Sequence, residues 1–103
     1  MQPVIEENKQ QIDEICRKYK VSNLEVFGSA STGQFDENRS DIDFLVEFLP
    51  DVVNERFDNF FALLDDLKKL FNRPVDLVEP GGLKNPYLIR RINQTRRRIY
   101  ASS

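Results

Sequence analysis

A chain of 103 residues, 40% apolar and 31% charged, has the composition of a small globular domain and excludes disordered and fibrous classes. Folding at this length removes roughly two thirds of the open chain's surface, enough for one core, so a single domain over residues 1–103 is expected. The net charge is −2, with no histidine and one cysteine, Cys16, which excludes an intrachain disulfide framework, Ser-His and Cys-His dyads and the usual His/Cys zinc site. Any chemistry must run on carboxylates, hydroxyls, backbone amides and basic side chains.

Met1–Glu7 has no basic stretch leading into an apolar one, and the longest apolar runs fall far short of the ~18 residues that span a bilayer. No membrane association and a cytoplasmic location are expected. Charge is unevenly divided: residues 1–52 sum to −6 and residues 53–103 to +4, with six bases and no acid from Lys84 onward. Such a split suits a polyanion held between the two halves, and it equally suits a solvated basic helix.

Ile5, Ile12, Ile15, Cys16 and Tyr19 recur at helical spacing behind Pro3, predicting a first helix. Leu24–Phe27 reads as a strand ended by Gly28, and residues 33–40 read as a loop. Ile42, Phe44, Val46 and Phe48 alternate with Asp41, Asp43, Leu45 and Glu47, a strand with one fully apolar face. Pro50 and Asp51 mark the exit into a second helix. Phe57, Phe60, Phe61, Leu64, Leu67 and Phe71 form a wide stripe on it, either core or an interface. Val75–Val78 is a third strand, closed by Pro80-Gly81-Gly82. Asn85 and Pro86 supply an N-cap and first-turn proline for a last helix, with Leu88, Ile92, Thr95 and Ile99 inward and Arg90, Arg91, Arg96, Arg97 and Arg98 outward or flanking. The order is α-β-α-β-α-β-α, an α+β (α/β-like) sheet layered with helices.

Asp41 and Asp43 are one residue apart, so both side chains leave the same face of their strand and can converge on a hard cation. Alone, that triplet would read as a solvated strand face. Its context is richer. Phe27-Gly28-Ser29 follows a strand directly, where backbone amides and a hydroxyl can receive a phosphate. Asp76 interrupts the apolar run of the third strand, which is costly unless the acid is paired or faces a metal.

Gly28-Ser29, Asp41-Ile42-Asp43 and Val75-Asp76-Leu77-Val78 together resemble the minimal nucleotidyltransferase (MNT) group of the polymerase-beta-like superfamily. The likeness extends over about residues 20–100, including Gly82-Leu83, Asn85-Pro86-Tyr87-Leu88 and Ile99-Tyr100. It implies a small mixed three-stranded sheet on which Asp41, Asp43 and Asp76 converge. They would be the catalytic and metal-binding residues, holding two magnesium ions with the nucleoside triphosphate, while Gly28 and Ser29 bind the triphosphate. Two carboxylate-held metals suit in-line transfer without histidine. The implied reaction moves AMP from ATP to a hydroxyl, a tyrosine of a HEPN-domain toxin, with the chain acting as antitoxin. The chain departs from the pattern at Thr32, where relatives usually carry arginine, and in the eleven residues between Ser29 and Asp41, one more than usual. Arg39 and the C-terminal arginines are the candidates to replace that clamp. The alternative is a catalytically idle module that neutralises its partner by binding. Direct nucleic-acid binding rests only on the C-terminal arginines, and the sequence pI near 5.2 argues against it. Base preference, acceptor and oligomeric state stay open.

Overall fold

The computed structural model describes residues 3–31, 41–52 and 54–102. Helices α1 (Pro3–Glu7) and α2 (Lys9–Lys18) lead into strand β1 (Val21–Phe27), and a 3-10 turn covers Gly28–Ser31. Strand β2 (Ile42–Phe48), helix α3 (Arg56–Phe71), strand β3 (Val75–Val78), helix α4 (Pro86–Thr95) and strand β4 (Arg97–Ala101) follow, with 3-10 turns at Pro50–Val52 and Pro80–Gly82. The strands form one mixed sheet in the order β3-β2-β1-β4. β1 runs antiparallel to both β2 and β4, and β2 runs parallel to β3.

Period-two alternation sorts this sheet into two unequal faces. Leu24 and Val26 of β1, Ile42, Phe44 and Val46 of β2, and Val75 and Leu77 of β3 pack with Ile5, Ile12, Cys16, Leu63, Leu67 and Phe71 of the first three helices. Phe44 and Phe71 meet with ring centroids 5.9 Å apart. The opposite face holds a smaller cluster, in which Phe27 and Leu45 are buried against Ile92 of α4 with Val78, Leu83 and Leu88 alongside. Asp43 and Asp76 share the parity of this second face. The larger core thus anchors the strands from behind and leaves the other side for α4 and the acids.

The α+β class and mixed sheet agree with the sequence reading; three local features differ. The first helix is interrupted at Asn8, whose side-chain amide donates to the Val4 carbonyl oxygen at 2.8 Å while its backbone N–H donates to Ile5 O. The aromatic stripe of α3 is divided: Phe71 and Leu67 are buried with Leu63, whereas Phe57 and Phe61 are 72% and 51% exposed. The last helix ends at Thr95, and Ile99 enters the core from a fourth strand. Ile99 lies seven residues after Ile92, so helical spacing continues through it in sequence. The edge of β1 takes those residues instead, satisfying its backbone groups by pairing. Asn85 caps α4 as expected, its Oδ1 accepting from the Tyr87 N–H at 3.0 Å with Pro86 in the first turn. Among the described residues no helix is long and apolar enough to cross a membrane.

Candidate active site

Strand register brings together two of the three predicted acids, Asp43 and Asp76. The antiparallel pairing of β1 and β2 sets Phe27 opposite Asp43, which brings Gly28, the next residue, to the Asp43 side chain. The parallel pairing of β2 and β3 sets Asp43 beside Asp76. Asp43 is largely buried, its side chain 15% exposed, while Asp76 and Asp41 stand at the surface. Burial pushes the Asp43 carboxyl up to about 6, and a hydrogen bond to Asp76 and the charge of Asp76 push in the same direction. Arg91 opposes the rise and the charge of Asp41 adds to it. Asp43 and Asp76 are therefore a like-charged pair in contact, with Asp41 close enough to be felt.

Gly28 makes the approach possible. Its φ is +72°, and a Cβ there would lie 2.8 Å from both Asp43 Oδ2 and Arg91 Nη2. Its N–H donates to Thr95 Oγ1 at 2.8 Å, and the Thr95 hydroxyl donates to the Arg91 carbonyl oxygen at 2.7 Å. The buried Ser31 hydroxyl lies 2.5 Å from the Thr95 carbonyl oxygen and 3.0 Å from that of Gly28, donating between them. These bonds fasten the end of α4 to the turn after β1. The amide expected to greet a phosphate at Gly28 is thus engaged by Thr95, and the glycine's contribution here is room. Ser29 lies half-buried in the same turn.

Arg91 is the site residue that sequence reading did not separate from its neighbours. Its guanidinium lies over Gly28 and pairs with Asp43 at 3.8 Å, with its side chain 55% exposed. Asp43, Asp76 and Arg91 border a cleft of about 190 Å³ whose apolar wall is Phe27, Leu77, Val78 and Leu88. Arg96, one turn on, turns instead to Glu25, its Nε lying 3.1 Å from Oε2 and Nη2 2.5 Å from the same oxygen. The expectations placed on Thr32 and Arg39 lie outside the described residues.

The donor set fits a hard divalent cation. Among the described residues no three acids meet as a ready metal cage. Magnesium, however, is commonly bound through one or two carboxylates together with substrate phosphates. Two neighbouring acids, the buried one with its carboxyl pushed up by burial and by the other's charge, are a pair whose cost a cation would relieve.

Comparison with known proteins agrees with this fold. Residues 8–99 match the nucleotidyltransferase domain family. A Methanocaldococcus jannaschii protein, provisionally named a protein adenylyltransferase, is 43% identical over 79 residues, 75% of this chain and 74% of its own length. A solved structure described provisionally as a minimal nucleotidyltransferase superposes with a TM-score of 0.71 at 25% identity, covering 90% of each chain. Two further structures share the fold. A chain of a toxin–antitoxin crystal structure with AMP-PNP has a TM-score of 0.68 and 24% identity, over 92% of this chain and 74% of that one. A chain of the tri-AMPylated Shewanella oneidensis HEPN toxin in complex with MNT antitoxin has a TM-score of 0.63 and 20% identity, over 94% and 72%. The matched range takes in the strands that carry the acid pair, and the chain belongs to the nucleotidyltransferase domain family and is a nucleotidyltransferase.

Proposed function

We propose that this nucleotidyltransferase moves AMP from ATP to a hydroxyl, that of a tyrosine, on a HEPN-domain toxin, and so acts as its antitoxin. The observation that carries the reading is the side-by-side placement of Asp43 and Asp76 on adjacent parallel strands, bordering an open cleft. In the transfer, the acceptor oxygen forms a bond to the α-phosphorus. The bond from that phosphorus to the oxygen bridging the β-phosphate breaks, and pyrophosphate leaves with the electron pair. Asp76, exposed at the cleft, receives the hydroxyl proton. Asp43 is held rigidly between β1 and β3, and Asp41 stands at the entry to the same strand. These three residues would hold magnesium, as two ions with the triphosphate, and the metal would supply charge neutralisation at the attacking and leaving oxygens. Gly28 keeps the approach to Asp43 open, and Ser29 follows it in the turn on which the triphosphate rests. The protein adenylyltransferase name of the archaeal relative and the toxin–antitoxin neighbours support the choice of nucleotide and partner.

A second reading, neutralisation by binding alone, has its own observation: Phe57 and Phe61 meet as a tilted pair with centroids 4.8 Å apart and stay exposed on α3, as a protein-docking surface would. One experiment separates the two. The chain is incubated with magnesium, ATP and the product of its neighbouring gene, which on this reading is a HEPN protein, and intact masses are read. The partner gains one or more AMP units, and Asp43→Asn abolishes the gain, by at least about 10³-fold if charge stabilisation dominates. A partner that gains no nucleotide, alongside a verified active control, would falsify the transfer. Full neutralisation in cells by Asp41→Asn/Asp43→Asn would favour binding instead.

A further inference from the structure

We infer that Arg91 is a phosphate-binding residue, its guanidinium holding the phosphate chain of the nucleoside triphosphate from the α4 side of the cleft. The inference rests on the nucleotidyl-transfer reading and adds the group that receives the anion. The cleft's described lining holds two acids, Asp43 and Asp76, and Arg91 is the one cation among them. A substrate with several negative charges is repelled by two carboxylates, and Arg91 puts a positive charge on the protein side of the cleft beside that of any bound cation.

The manner in which Arg91 is held separates it from a structural arginine. Charge-assisted pairs close to about 2.7–2.9 Å. This chain builds such pairs where it needs them: Arg56 Nε lies 2.7 Å from Glu79, and Arg96 meets Glu25 through two nitrogens. Arg91 approaches Asp43 only to 3.8 Å, and among the described residues no hydrogen bond from its guanidinium closes that gap. Toward the described residues its five donors are largely unspent, and its side chain is half-exposed, ready for a bidentate anion. Its backbone is the reverse, pinned by the Thr95 hydroxyl, which bridges the Arg91 carbonyl and the Gly28 amide. A fixed base with an uncommitted head is suited to ligand contact. Gly28 completes the arrangement, since any Cβ there would occupy the space between the guanidinium and Asp43.

The test measures binding rather than turnover. Wild type, Arg91→Ala and Arg91→Lys are titrated calorimetrically with magnesium-ATP, with inorganic triphosphate, and with Mn2+ alone, and each is melted thermally. Loss of charge-assisted contacts weakens ATP and inorganic triphosphate about 10- to 100-fold in Arg91→Ala, with a smaller loss in Arg91→Lys. Mn2+ binding is unchanged or tighter, because a repelling charge beside Asp43 has gone, and the melting temperature holds. Arg91→Ala binding both polyphosphates as tightly as wild type overturns the inference and leaves the transfer reading standing. Joint loss of polyphosphate, Mn2+ and thermal stability also overturns it, by showing that Arg91 merely supports the acids. Wild type binding neither ATP nor inorganic triphosphate refutes the transfer reading, and the inference with it.

Discussion

Gly28→Ala tests the whole arrangement, because one methyl group is aimed at two functional side chains at once. Gly28 sits at φ +72°, where an L-residue costs about 1–2 kcal/mol that glycine does not pay. The added Cβ would lie 2.8 Å from Arg91 Nη2 and from Asp43 Oδ2. The arginine head can swing into solvent at little cost. Asp43 cannot, because its backbone is paired on both sides and its carboxyl is in contact with Asp76. Overpacking against a side chain held in this way adds about 1 kcal/mol, at the low end of the usual range. The sum, about 2–3 kcal/mol, lowers the melting temperature of a domain this size by about 10–20 °C. Melts followed by circular dichroism give that number, and single-turnover transfer on the folded fraction gives the chemical loss, which should exceed the stability loss because Asp43 itself is displaced. In the Gly28→Ala/Arg91→Ala double variant the arginine clash, already cheap to relieve, is gone and the Asp43 clash remains, so less than about 0.5 kcal/mol should return. A Gly28→Ala protein that melts within about 2 °C of wild type and transfers at its rate would refute the account of the turn.

Two further predictions concern groups away from the cleft. Glu25 is nearly buried; desolvation alone would raise its carboxyl, but the hydrogen bonds and charge of Arg96 outweigh it and hold the group below the ordinary value of 4.5. In acid the unfolded chain therefore takes up this proton first, so the pair's stabilisation is complete above that value and disappears as pH falls through the depressed one. Glu25→Gln should cost about 1–2 kcal/mol at neutral pH, discounted for the solvent-exposed part of Arg96, and almost nothing in acid; urea melts across pH check it, and a deficit independent of pH would contradict it. Cys16 is buried, and burial with the charge of Asp13 pushes its thiol up to about 12. It should resist thiol reagents in the folded protein and label promptly in denaturant, a result reversed if native labelling is fast.

The sequence makes the acids legible and hides what surrounds them, for physical reasons. Parity places Asp43 on the face of Phe27 and Leu45, because a strand's period is fixed, whereas Asp41 lies one residue before β2, where that period no longer governs it. That Asp43 and Asp76 are register partners depends on β2 and β3 being adjacent and parallel, and strand order is a property of the packed sheet. Arg91 is one of five arginines between residues 90 and 98, and composition cannot say that it faces the cleft while Arg96 faces Glu25. The signal that would have helped is the hydroxyl at Thr95, four residues on, where it can bond back to the Arg91 carbonyl. In α3 the aromatic residues drew the stripe away from Leu63, which is buried with Leu67 and Phe71 while Phe57 and Phe61 remain outside. Large aromatic residues mark apolar area, and only packing decides whether that area is core or surface.

The charge division along the chain acquires a spatial meaning from two ion pairs that cross it. Glu25–Arg96 and Asp43–Arg91 each join the acidic first half to the basic tail, five residues apart on the tail and on neighbouring strands of the sheet. The first is closed, with Glu25 nearly buried and two nitrogens of Arg96 bound to it. It fixes where α4 gives way to β4, because Arg96 is the residue at which the helix ends. With that junction fixed, β4 continues along the edge of β1 and Thr95 reaches the Gly28 amide. The second pair is left open at 3.8 Å. A tail tied down at one arginine can hold the other in position without spending its hydrogen bonds, and that difference lets the same basic segment complete the fold and still present a cation to an anionic substrate.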